Sequence, residues 1–204
     1  MKKILVTSNI RYDKYGNLQN LISQDWFQFL NSLSFSVFTT GIINDKQIKN
    51  ELTKINGVIF SGGNDLFSVN KKRENLLRDN YEKKLFKICI KRKIPILAIC
   101  RGFQLINSLY KGNLDKLSGH VKTFHNLKVS NSSKFVKFKS LKVNSYHNYC
   151  LTNVSKNFKI VSRAKDNSIE IAEHTKYKIL CLMFHPERYN PSQKKINKLI
   201  KDFF

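Results

Sequence analysis

The sequence predicts an α/β fold of three layers, an α/β/α sandwich around a central, mostly parallel sheet. Two patterns carry this expectation. Short apolar runs rich in β-branched residues alternate with helical periodicities through the first half, which implies right-handed βαβ crossovers. The second half is strand-rich, which implies antiparallel additions at one edge of the sheet. With 204 residues, 41% hydrophobic and 12% aromatic, the chain is long enough to bury a core and too apolar for a disordered tail. No repeat, linker or low-complexity tract stands out, so residues 1–204 read as one domain.

Taken in order, Lys3–Thr7 is a short β-branched run and reads as a buried strand. Leu18, Leu21, Ile22, Trp26, Phe29, Leu30 and Leu33 recur with a helical period, predicting a helix over Leu18–Leu33. Phe35–Thr39 is a second strand and Asp45–Leu52 a weak helix. Gly57–Phe60 is a third strand, broken by the loop Ser61-Gly62-Gly63-Asn64-Asp65. Arg73–Arg92 is the clearest helix, with Leu77, Tyr81, Leu85, Ile88 and Cys89 on one stripe. Ile96–Ile99 is a strand entered through Pro95, and Arg101–Tyr110 is a helix. From Lys111 to about Ser155 the pattern loosens into short strand-like pieces. Phe158–Val161, Ile169–Ala172 and Ile179–Phe184 are strands, and Pro191–Phe203 is a closing helix.

Composition excludes several classes. Four cysteines in 204 residues, without C-x-x-C spacing, do not make a disulfide scaffold or a zinc or redox motif. The N-terminal apolar run is too short for a signal peptide, and no stretch approaches the roughly 20 apolar residues that span a bilayer. A cytoplasmic protein without a membrane partner is the expectation. The formal charge of +23 has two readings, a compositional lysine bias or an anionic ligand. The basic residues are dispersed, with Lys71-Lys72-Arg73 the densest cluster. With no zinc finger, basic helix or aromatic RNA-binding signature, no nucleic-acid partner is expected.

Three local features carry chemistry. Cys100 sits between a buried strand and an amphipathic helix. A sharp strand-to-helix turn lifts such a side chain above the sheet edge, and the helix N-terminus favours negative charge beside it. The alternative is a buried structural cysteine, the reading preferred for Cys89, Cys150 and Cys181. The second feature is His185-Pro186-Glu187, just past a predicted strand. A base that activates a thiol needs an orienting group on its other ring nitrogen, and a Glu two residues on can supply it. The third is Gly62-Gly63, whose backbone N–H groups could face developing negative charge or could simply make a turn.

In this order and spacing the three features resemble the class I glutamine amidotransferase-like superfamily, whose fold is flavodoxin-like. The chain looks most like its C26-type γ-glutamyl hydrolases. The carrying stretches are Gly57–Asp65, Pro95–Asn107, Val143–Asn148 and Phe184–Arg188, with Cys100-Arg101-Gly102 as the hydrolase variant of the elbow. The resemblance implies a Cys100–His185–Glu187 triad that hydrolyses a γ-glutamyl amide through a thioester and releases glutamate. Its oxyanion hole would come from Gly62 or Gly63 and the Arg101 N–H. Gln104, Asn144, Ser145, Tyr146 and His147 match segments that contact the glutamyl group. No metal or organic cofactor is implied. One branch of the family acts on γ-glutamyl-CDP-amidate in making capsule phosphoramidate, and that compound is the expected substrate. γ-Glutamyl-γ-aminobutyrate or a γ-glutamyl polyamine is the alternative. A glutaminase subunit serving a separate synthase is a further alternative, since a closing helix ending at Phe204 leaves no fused synthase domain.

Overall fold

The computed structural model describes residues 1–204. The first half contains β1 (Lys2–Val6), β2 (Asn9–Tyr12), β3 (Leu18–Leu21), α1 (Gln24–Ser32), β4 (Phe35–Phe38), α2 (Asp45–Glu51), β5 (Gly57–Phe60), α3 (Arg73–Arg92), β6 (Ile96–Ile99) and α4 (Arg101–Leu109). The second half contains β7 (Asp115–Lys116), β8 (Val121–Lys128), β9 (Ser140–Tyr146), β10 (Tyr149–Cys150), β11 (Phe158–Arg163), β12 (Ile169–His174), β13 (Ile179–Leu182) and α5 (Gln193–Phe203).

Seven strands form the central sheet in the order β11-β12-β13-β6-β5-β1-β4. The five strands from β13 to β4 are mutually parallel. β12 and β11 add antiparallel at one edge, as the strand-rich second half predicts. In chain order the parallel strands run 2-1-3-4-5, the flavodoxin-like winding. Side chains alternate between two apolar layers. Ile59, Leu97 and Ile99 face α1, α5 and the β8–β9 hairpin, where Trp26, Leu30, Ile196, Ile200, Leu127 and Val143 cover them. Val58, Phe60, Ile96 and Ala98 face the other layer, covered by Ile48 of α2, Leu85 and Cys89 of α3, and Phe103 and Ile106 of α4.

The helix expected over Leu18–Leu33 begins only at Gln24. Its first residues instead form β3, antiparallel to β2. The Asp13 carboxylate accepts the N–H groups of Tyr15 and Asn17, both at 2.9 Å, and turns the hairpin. Ser23 accepts the Asp25 N–H and starts the true helix. Turn and cap chemistry overrides an apolar spacing that runs through both. Elsewhere the elements match the expected ranges to within a few residues, β11 and β12 running two beyond theirs. No helix is long and apolar enough to cross a membrane.

Candidate active site

Three loops meet at the carboxyl ends of the neighbouring strands β5, β6 and β13, the edge where doubly wound sheets hold ligands. Cys100 follows β6 directly. Its N–H donates to the Leu182 carbonyl of β13 at 2.7 Å, and its carbonyl accepts the Gln104 N–H to open α4. Its backbone lies at φ +49°, ψ −105°, a region that favours glycine and costs other residues on the order of 1–3 kcal/mol. The elbow is this tight because α4 presses on β5: a side-chain carbon on Gly102 would collide with the Phe60 carbonyl.

Cys100 is 7% exposed and His185 3%, and the two bracket Gly62. A carbon built on Gly62 would lie 3.3 Å from His185 Nε2 and 3.5 Å from Cys100 Cβ. The lack of a side chain there is what lets the loop pass. His185 Nδ1 bonds Glu187 Oε1 at 2.7 Å. Burial lowers the His185 pKa, but the Glu187 charge and the interactions with Cys100 outweigh it, and the ring is pushed up to about 10. Burial pushes Cys89 up to about 12 and raises Cys150 and Cys181, in keeping with structural roles for those three thiols.

The backbone around His185 is clamped by Asn144. Asn144 Oδ1 accepts the His185 N–H at 2.9 Å, while Nδ2 donates to the carbonyls of His185 and Tyr189 at 2.8 and 3.0 Å. The Tyr146 ring stands edge-on to the imidazole, centroids 6.0 Å apart, with the Arg188 guanidinium 4.5 Å above it. Thr7, Ser61, Gly62, Gly63, His185, Glu187 and Arg188 line a cleft together with Leu21, Ile22 and Trp26.

A buried ion network supports the Gly62 loop from α3. Arg78 donates to the carbonyls of Ser61 (2.9 Å) and Gly62 (3.1 Å) and to Asn9 Oδ1 (2.5 Å). It pairs with Glu82 at 2.9 Å, and Glu82 and Asp79 both bond the Arg101 guanidinium. Two cations and two anions balance. Burial and the Arg101 charge lower the Arg78 pKa to about 10 against the pull of Glu82 and Asp79. The inward-turned carbonyls leave the Gly62 and Gly63 N–H groups without a protein acceptor.

Cys100, His185, Glu187, Gly62 and Gly63 therefore come together as the sequence suggests, and the Arg101 N–H follows the elbow while its side chain turns into the ion network. The residues expected to touch a glutamyl group are placed differently. Gln104 donates to the Tyr149 carbonyl at 3.2 Å, Asn144 holds the His185 backbone, and buried Ser145 donates to the His120 carbonyl at 2.8 Å. His147 is buried beside Glu170. Of that segment only Tyr146, 37% exposed, presents its side chain beside His185. Asn144, Ser145 and Tyr146 lie on β9, which is paired with β8 and bound to the His185 loop, so the polar side chains of Asn144 and Ser145 are spent on structure. Arg78, Asp79 and Glu82 escaped the sequence reading. Their signal was an Arg–Glu pair at i, i+4 on the same helix face as Tyr81 and Leu85.

Comparisons with known proteins show the family. The peptidase C26 family model matches residues 5–187. The chain is 32% identical over 181 residues to the γ-glutamyl-CDP-amidate hydrolase of Campylobacter jejuni, covering 87% of this chain and 86% of that protein. It is 30% identical over 143 residues to the GMP synthase of Spiroplasma kunkelii, covering 68% of this chain and 25% of the synthase. Among solved structures, a glutamine amidotransferase from Thermotoga maritima superposes with a TM-score of 0.72 at 16% identity, over 99% of this chain and 96% of that one; at that identity the likeness concerns the fold. The chain belongs to the peptidase C26 family.

Proposed function

We propose that this chain is a γ-glutamyl hydrolase in which Cys100 is the nucleophile, His185 carries the proton and Glu187 holds the ring. The observation that carries the reading is the convergence of Cys100, His185 and the Gly62 loop on one point. In this mechanism the Cys100 sulfur attacks the γ-carbonyl, and the N–H groups of Gly62 or Gly63 and of Arg101 receive the oxyanion. His185 protonates the departing nitrogen and leaves a γ-glutamyl thioester. Acylation removes the sulfur's contribution to holding the imidazolium. The ring, neutral after giving its proton to the departing nitrogen, takes a proton from the water that releases glutamate. Substitution of Cys100 or His185 by Ala should abolish hydrolysis in a glutamate-release assay while the circular dichroism spectrum stays that of the parent.

The substrate we favour is γ-glutamyl-CDP-amidate. Identity to the C. jejuni hydrolase across most of both chains supports it, as do Arg188 at the cleft and the +23 charge, which suit an anionic leaving group. The test presents γ-glutamyl-CDP-amidate and γ-glutamyl-γ-aminobutyrate to pure protein. A kcat/KM for the aminobutyrate compound equal to or above that for the nucleotide rejects the choice. The likeness to GMP synthases favours a second reading, a glutaminase that passes ammonia to a synthase. Rapid hydrolysis of L-glutamine, accelerated by an added synthase, would establish it in place of the first.

A further inference from the structure

Between the β8–β9 hairpin and β12 four side chains that are not among the cleft-lining residues converge on one another: His120 just before β8, His125 within it, His147 just after β9, and Glu170 of β12. One donor atom from each lies within 4.8 Å of all the others. Glu170 Oε1 is 3.5 Å from His147 Nε2, 3.9 Å from His120 Nδ1 and 4.0 Å from His125 Nε2. These spacings are too long for hydrogen bonds. They are close to the edges of about 3.4 Å expected of a tetrahedron with metal–ligand bonds of about 2.0–2.1 Å.

The cluster is otherwise unexplained. His120 Nδ1, His125 Nε2, His147 Nε2 and both Glu170 oxygens are buried and have no hydrogen-bond partner, although buried polar atoms are as a rule paired. Two of the three remaining ring nitrogens are engaged. His120 Nε2 bonds Asp166 Oδ2 at 2.8 Å and His147 Nδ1 bonds the Tyr149 carbonyl at 3.0 Å. Those partners take the ring N–H and leave the inward nitrogens of His120 and His147 as bare lone pairs, the arrangement found around metal-bound histidines.

We propose that His120, His125, His147 and Glu170 bind one zinc ion as a closed, four-coordinate structural site. Three imidazoles and a carboxylate suit a zinc-like cation, and the four protein ligands leave no open position for substrate. The ion ties the β8–β9 hairpin to β12. It thereby steadies β9, whose Asn144 clamps the His185 backbone, and the Tyr149 carbonyl, which also receives the Gln104 side chain. This inference stands apart from the substrate assignment.

The test saturates the purified chain with Zn²⁺, desalts it and measures metal by mass spectrometry; about one ion per chain is expected. Stripping with dipicolinate should lower the thermal midpoint by several degrees, and returned zinc should restore it. Co²⁺ in place of zinc should give visible bands of tetrahedral strength. Glu170→Gln and His125→Asn should each weaken zinc binding at least tenfold, whereas Cys100→Ala should bind as the parent does. Retention of no zinc, a midpoint indifferent to stripping, or undiminished binding in both ligand variants overturns the site. So does loss of the ion in Cys100→Ala. The strip-and-restore comparison uses the unaltered chain, so a variant that fails to fold does not blunt it.

Discussion

Cys100 concentrates the residue-scale cost of this site. Its φ of +49° is held by the bond to Leu182 and by the close approach of Gly102 to β5. Glycine accepts that backbone freely, alanine does not. We therefore expect Cys100→Gly to exceed Cys100→Ala in urea-unfolding stability by about 1 kcal/mol. Equal stabilities would show that the elbow is unstrained. His185 supplies the second prediction. Its folded pKa, about 10, lies above the ordinary 6.5. The stability it contributes is complete below about pH 6.5 and lost as pH rises through about 10. Glu187→Gln removes the charge that raises the ring most. The stability gap between parent and variant should be wide near pH 7 and narrow above pH 10. The same substitution should lower kcat by roughly 10²–10⁴-fold, as loss of an orienting group does in a triad.

At the scale of elements, α3 is both a core helix and the brace of the Gly62 loop. Tyr81, Leu85 and Cys89 pack on the sheet, while Arg78, Asp79 and Glu82 stay buried as ions. Removing one member strands the others in a dry interior. Glu82→Gln should cost about 3–5 kcal/mol in unfolding free energy. It should also lower kcat, because Arg78 would hold the Ser61 and Gly62 carbonyls less firmly. Unchanged stability would mean that the ions are solvated. The helical stripe of α3 was legible in the sequence, but its ionic half was not: periodicity marks which face is buried and is silent on how a buried charge is neutralised. The β2–β3 hairpin was missed for a related reason. Apolar spacing from Leu18 to Leu33 fits a helix, and only the Asp13 turn and the Ser23 cap divide it.

For the whole molecule, the +23 charge sits on a fold whose fully buried cations are Arg78 and Arg101. Exposed ion pairs are few: Lys84 with Asp45 and Lys198 with Asp202 are two. Self-repulsion should therefore weigh against the folded state, and screening should relieve it. Raising NaCl from low salt to about 0.3 M should raise the thermal midpoint; a flat or falling response would show the charges already balanced. The two apolar layers carry the stability itself. Ile200 of α5, fully buried against the sheet, should cost about 2–5 kcal/mol when cut to Ala.

The sequence by itself determined the α/β class with its mostly parallel sheet, most of the strand and helix ranges, and the local settings of Cys100, His185 and Gly62, because periodicity, turn residues and caps act over a few neighbours. Tertiary structure alone decided what meets what. It brought His185 beside Cys100, enclosed Arg78 and Arg101 with Asp79 and Glu82, spent Asn144 and Ser145 on the backbone, and gathered three histidines around Glu170. Those partnerships join segments far apart in the chain, and their energies depend on burial and distance, which no local pattern encodes.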